Sequence, residues 1–178
     1  MRADSGCGIR IADILISRFA ICILCKLQYI FHRTIIFLVN SGLISDHGTP
    51  GASSVYTSYY PKNAFTSADD YWASAVNQFP AIVWMKFNNP HRLARIGYRS
   101  NHIDNIPKKM IVVGSHDCTN WSPLLTIENT GFSNKEFRTW DIPAENRVLY
   151  RCIGLKWPVK PAGNNLVVAS EIRMWEQT

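Results

Sequence analysis

Residues 107–121 read PKKMIVVGSHDCTNW: a strand, a polar break and the start of a second strand. Pro107 fixes its own φ, and Met110, Ile111, Val112 and Val113 follow as a β-favouring apolar run. The run breaks at Gly114, Ser115, His116 and Asp117. A new strand starts at Trp121 and continues through Leu124, Leu125 and Ile127. The spacing predicts a β-hairpin whose turn residues are Asp117, Cys118, Thr119 and Asn120. Past residue 50 the same rhythm repeats, with short β-rich runs punctuated by Pro, Gly, Asn or Asp.

The chain has 178 residues, 47% of them hydrophobic, which is enough for one good core and points to one main domain. Only 18% are charged and 12% are aromatic, a profile that excludes a disordered or coiled-coil chain and suits an all-β domain. The formal charge is +6, but acids and bases interleave throughout, so no basic stripe for nucleic acid exists and no nucleic-acid partner is expected.

The five cysteines are Cys7, Cys22, Cys25, Cys118 and Cys152, an odd set that does not frame a disulfide-stapled scaffold. Without the N-terminal segment only Cys118 and Cys152 remain to pair, and their pairing depends on geometry.

Residues 1–46 form a hydrophobic N-terminal segment, interrupted at Arg18, Lys26 and Arg33. No window offers the roughly 20 nearly uncharged residues that a spanning helix wants. Two readings stand. One is a secretory signal with its apolar stretch at 34–39 and cleavage near Val39, Asn40 and Ser41; the other is a helical appendage or a segment that never folds with the domain. Cys22 and Cys25 have CxxC spacing, but they sit in an apolar run without a second ligand pair and read as small hydrophobes.

The composition breaks at Asp46, His47, Gly48, Thr49, Pro50 and Gly51, which sets a domain at 47–178. Residues 52–60 read as a strand plus loop, and 62–65 and 71–74 as short extended pieces around the acidic turn Asp69 and Asp70. In 82–87, Val83, Met85 and Phe87 share one face while Ile82, Trp84 and Lys86 share the other. Trp84 on the Lys-bearing face is expected to be covered by a neighbouring segment. Further strands are expected at 93–99, 136–142, 147–157 and 167–175, with 100–106 a polar loop. About eight short strands and no amphipathic helix argue for an all-β sandwich or jelly roll.

These residues, taken in order, resemble the coagulation factor 5/8 type C (discoidin) domain of the galactose-binding-like superfamily. The resemblance rests on Ala52, Ser53 and Ser54; on 60–65 (YPKNAF), 71–74 (YWAS), 77–81 (NQFPA) and 96–99 (IGYR); and most specifically on 107–121. It continues in 136–140 (EFRTW), Tyr150, Arg151 and 169–172 (ASEI), and so covers about residues 50–176.

The resemblance implies an eight-stranded jelly-roll-like sandwich, non-catalytic and extracellular or at the cell surface. Three loops at one end, 55–62, 75–79 and 99–106, would bind a glycan or glycoprotein. In that reading Tyr59, Tyr60 and Phe79 stack on a sugar face, Arg99 donates a fork of hydrogen bonds, and Asn77, Asn101 and His102 add polar contacts. An adhesion module for a protein partner or an anionic membrane surface is the alternative.

Three features depart from the family. Cys118 stands where Gly is usual in the hairpin turn, so either Cys118 is strained or the turn type changes. The calcium-supporting stretch after Ala64 and Phe65 is short, which leaves Asp69 and Glu171 as the residues for a structural calcium. The terminal cysteines of the blood-clotting members are missing.

Two side-chain sets resemble chemistry. Ser115, His116, Asp117 and Cys118 contain a nucleophile, a base and an orienter, but neighbours on a strand point to opposite faces, and turn chemistry is expected instead. His102 and Asp104 have metal-like spacing without a third ligand. Arg99 has a second reading, a structural clamp to Asp104 across its loop.

Overall fold

The computed structural model describes residues 41–66, 69–102, 108–128, 132–133 and 135–177. The N-terminal segment before Ser41, with Cys22 and Cys25, and the loop that holds Asp104 lie outside the described residues.

Among the described residues ten strands follow in order: β1 (Ser41–Leu43), β2 (Thr49–Ala52), β3 (Trp72–Ala73), β4 (Ala81–Arg99), β5 (Lys109–Ser115), β6 (Ser122–Glu128), β7 (Phe137–Asp141), β8 (Leu149–Trp157), β9 (Val168–Ala169) and β10 (Glu171–Gln177). Eight form one hydrogen-bonded network and β3 pairs with β9 apart from it. All the pairings are antiparallel.

β4 carries the architecture. Its first half pairs with β2 and β8, and its second half with β10 and β7. A register irregularity between Lys86 and His91 marks the corner where the strand leaves one layer for the other. The result is a sandwich: β2, early β4, β8, β5 and β6 face β1, β10, late β4 and β7. Sequence reading expects two separate strands at 82–87 and 93–99. The structure joins them into one strand, with Asn88, Asn89 and Pro90 exposed at the bend where the ladder with β8 shifts register.

Alternation fixes the core. Val83, Met85 and Phe87 are buried from one layer, and Leu93, Ile96, Tyr98, Ile172 and Met174 from the other. Tyr98 lies 5.9 Å from Trp157 and Trp72 lies 5.7 Å from it, ring to ring, so aromatic packing closes the layers at one end. Trp84 is covered, as expected: Trp121 lies 5.4 Å away, and its indole passes over Gly51 of β2.

Gly154 allows β8 to lie against β4 here. A Cβ at Gly154 would come within 2.3 Å of the Val83 carbonyl oxygen, a backbone atom with nowhere to go. Gly154→Ala is therefore expected to cost about 3 kcal/mol, at the upper end of overpacking penalties. An unchanged urea midpoint would contradict this packing.

Two short segments differ from expectation. Residues 61–65 are a 3-10 helix, Pro61–Phe65, and not an extended piece: Pro61 pre-sets φ at its start and Ala64 is fully buried beneath it. β1 lies ahead of the boundary set at residue 47. It pairs with β10 over Ser41 to Leu43, and Ile44 and Ser45 behind it are buried.

The β5–β6 turn is built as a side-chain cap. The Asp117 carboxylate accepts from the backbone N–H groups of Thr119 and Asn120, both at 2.8 Å, from Asn120 Nδ2 at 2.7 Å and from Ser115 Oγ at 2.8 Å. These bonds, led by the Asn120 and Thr119 amides, hold its carboxyl well below the usual carboxylate range. Cys118 takes φ 60°, the left-handed conformation that Gly would adopt freely. Its sulfur is bonded to Cys152 of β8, with 5.4 Å between the Cα atoms. The 115–118 set is thus a capped turn: Ser115 donates to Asp117, and Cys118 is spent in a disulfide.

Candidate functional site

The two halves of β4 begin and end at the same pole. Ala81 pairs with Trp157, which touches Tyr98. The connections before Ala81 and after Arg99 therefore emerge side by side, while the disulfide turn lies at the other end of β5 and β8, where Ser115 pairs with Cys152.

The first connection at this pole is pinned to β3. Trp72 Nε1 donates to the Ser54 carbonyl at 3.0 Å, the Ala75 amide donates to Ser54 Oγ at 3.1 Å, and the Tyr56 amide donates to the Ala73 carbonyl at 2.9 Å. Thr57 turns the chain at φ 49°. From this frame the rings assemble into a ladder. Tyr56 and Tyr59 stack with 6.2 Å between centroids, Tyr59 and Tyr71 stack at 4.4 Å, and Tyr71 meets His102 edge-on at 5.1 Å. Three separate stretches of sequence contribute to it.

The 100–102 turn is held as firmly. Asn101 donates its amide to Ser170 Oγ at 2.8 Å and its Nδ2 to the Asp69 carbonyl at 3.2 Å. Ser100 Oγ donates to the His102 carbonyl at 3.1 Å, which leaves the His102 ring exposed beside Tyr71. Tyr60 is 54% exposed and Tyr56 39%, so the ladder's outer surface is open to solvent.

The other expected residues divide. Asn77 is exposed at φ 59°, its amide bonded to the Asn165 carbonyl at 2.8 Å, so its loop is tied to the connection after β8. Phe79 is half-buried against the core, with one edge left at the surface. Arg99 does not stand free: its Nη2 lies 2.9 Å from Glu171 Oε2, and its buried Nε has no hydrogen-bond partner among the described residues. Tyr56 and Tyr71 complete the ladder although sequence reading names neither as a site residue. Tyr71 stands in the 71–74 motif and Tyr56 inside the 55–62 loop, and only the three-dimensional stack singles them out.

Burial first, then the hydrogen bond and charge of Tyr59, push the Tyr71 hydroxyl up to about 12. Burial raises Tyr98 further. A folded-state pKa above the unfolded value means that the folded chain holds these protons longer. Their contribution to stability is complete below about pH 10 and is lost as pH rises through about 12. Stability should therefore fall on the alkaline side, with Tyr71 ionising late by tyrosinate absorbance. Titration of all seven tyrosines near their ordinary value would contradict the packed ladder.

The fold is shared with solved carbohydrate-binding modules. A third family 32 module (CBM32-3) of a family 31 glycoside hydrolase from Clostridium perfringens is 18% identical; the match covers 74% of this chain and 92% of that one, with a TM-score of 0.59. The family 32 module of NanJ from C. perfringens, solved in complex with galactose, is 12% identical over 78% of this chain and 100% of its own, with a TM-score of 0.62. Chitosan-binding module 1 from a Paenibacillus sp. IK-5 chitosanase/glucanase is 17% identical over 75% and 98%, with a TM-score of 0.59. No protein-family model matches the chain, and no curated protein matches it by sequence. Likeness at this level establishes the architecture: the antiparallel β-sandwich of these modules.

Proposed function

We propose that this chain is a non-catalytic recognition domain that binds carbohydrate at the pole where β4 begins and ends. The observation that carries the reading is the Tyr56–Tyr59–Tyr71–His102 ladder with Tyr60 open beside it, a polar-rimmed aromatic surface of the kind a pyranose face stacks on. Tyr60 supplies the open stacking face, Tyr59 the ladder's edge between Tyr56 and Tyr71, and Phe79 the margin. Asn77, Asn101 and His102 supply donors and acceptors. Arg99 contributes through the Asn101 turn that follows it, since Glu171 takes part of its hydrogen-bonding capacity. The structurally similar NanJ module was solved with galactose, which makes galactose-type sugars the first to test.

The Cys118–Cys152 bond fits an oxidising compartment, and we place the domain outside the cell or at its surface on that ground. Among the described residues no helix is long and apolar enough to cross a membrane.

One observation favours a second reading. Val76 and Val159 are 44% and 58% exposed on connections at this pole, and Lys62, Lys108 and Lys160 are exposed as well. An anionic membrane surface would take such a mixture. A glycan array run beside sedimentation with phosphatidylserine vesicles separates the two. Carbohydrate recognition predicts array signal on galactose-type sugars and no sedimentation. Salt-sensitive sedimentation with a silent array would replace it with the membrane reading.

A further inference from the structure

The resemblance to discoidin domains implies a structural calcium, held here by Asp69 and Glu171. Calcium takes six to eight oxygen ligands and draws on carboxylates whose negative charge is not already balanced. Glu171 is not free. It opens β10 directly opposite Arg99 in the ladder, and its side chain is 7% exposed. Arg99 Nη2 lies 2.9 Å from Oε2 and Arg173 Nη2 lies 2.5 Å from Oε1, so each carboxylate oxygen already faces a guanidinium.

The surroundings complete this arrangement. Gly97, between Arg95 and Arg99 on β4, leaves room for the Phe137 ring, which a Cβ at Gly97 would meet at 2.2 Å. The Arg173 guanidinium lies 5.5 Å from the centroid of that ring. A cleft of about 220 Å³ adjoins Glu171 and Arg173, lined also by Ser45, Asp46 and Thr66. Asp69 does not line it, and its carbonyl accepts from Asn101. A divalent cation would have to displace two guanidinium groups from one carboxylate. Among the described residues, the side chains around Glu171 do not fit calcium.

We infer that Arg99 and Arg173 supply from the chain itself the positive charge that neutralises Glu171, so the junction of late β4 with β10 is set without a metal ion. The junction positions the recognition pole. The Ser170 amide donates to the Arg99 carbonyl at 2.9 Å, and Ser170 Oγ receives the Asn101 amide, so the clamp leads directly into the Asn101–His102 turn. Arg99, Glu171 and Arg173 are positioning residues, and the inference stands whether or not the pole takes sugar.

The test is thermal unfolding of the full chain in a chelator and in millimolar calcium chloride. The two melting temperatures should agree within about 1 °C, against falls of about 5 °C or more for Arg173→Met or Glu171→Gln under either condition. Met keeps the apolar stem against Phe137, and Arg173→Lys should recover part of the loss by restoring the charge. The double variant should fall by much less than the sum of the singles, as partners in one clamp must. A wild-type chain that melts lower in chelator, additive losses in the double variant, or an Arg173→Met chain as stable as wild type would each overturn the inference.

Discussion

Trp157→Ala should be the most damaging single truncation in the domain, at a cost of about 3–5 kcal/mol. Trp157 is fully buried where the layers close, between Trp72 at 5.7 Å and Tyr98 at 5.9 Å. Its removal opens a cavity that three converging strands cannot collapse to fill. A domain of ordinary stability has about 5–15 kcal/mol in total, so the variant stands near the threshold of folding.

Trp157→Phe should behave differently. Trp157 Nε1 is buried with no partner among the described residues, and an unpaired buried donor costs about 1–3 kcal/mol. Phe loses volume but also removes that unpaired group, so its net cost should stay below about 1.5 kcal/mol. Chemical denaturation of both variants decides: equal losses for Ala and Phe would refute this account of the closed end.

The second large effect concerns binding. Tyr59 stands in the middle of the ladder, stacked on Tyr71 and Tyr56. Tyr59→Ala should raise the Kd for a bound galactose-type sugar about 30-fold, equivalent to about 2 kcal/mol. It should shift the melting temperature by no more than a few degrees, because the ladder lies at the surface and not in the core. Tyr60→Ala should cost less, since Tyr60 stacks on no other ring among the described residues. Calorimetric titration beside thermal melting measures both quantities. An unchanged Kd in Tyr59→Ala would remove the ladder from the binding surface.

How far the sequence could be read depends on where each interaction reaches. Short-range patterns were legible: the two-residue period put Val83, Met85 and Phe87 into the core, and the break at Asp117 to Asn120 marked the β5–β6 turn. Where the turn carries Cys118 instead of Gly, the structure gives that residue a positive φ. The bend in β4 and the Pro61–Phe65 helix were not legible, because each is settled by packing against strands distant in sequence.

The site shows the same division. Loop composition and the resemblance name Tyr59, Tyr60 and His102, and the structure brings Tyr59 and His102 into one ladder through Tyr71. Sequence reading gives Arg99 a role toward sugar or toward Asp104, five positions downstream in its own loop. The partner it has, Glu171, comes from the other end of the chain through the β4–β10 ladder. The pairing of Cys118 with Cys152 likewise needed the approach of β8 to the hairpin, which spacing alone does not give.

Chemical-shift mapping of the folded chain during titration with a galactoside tests the central claim most directly. The account predicts that the shifting resonances cluster on Tyr56, Tyr59, Tyr60, Asn101 and His102, while those of Asp117, Thr119 and Asn120 at the opposite pole stay still. Shifts centred on the disulfide turn, or none with any sugar that the array retains, would contradict it.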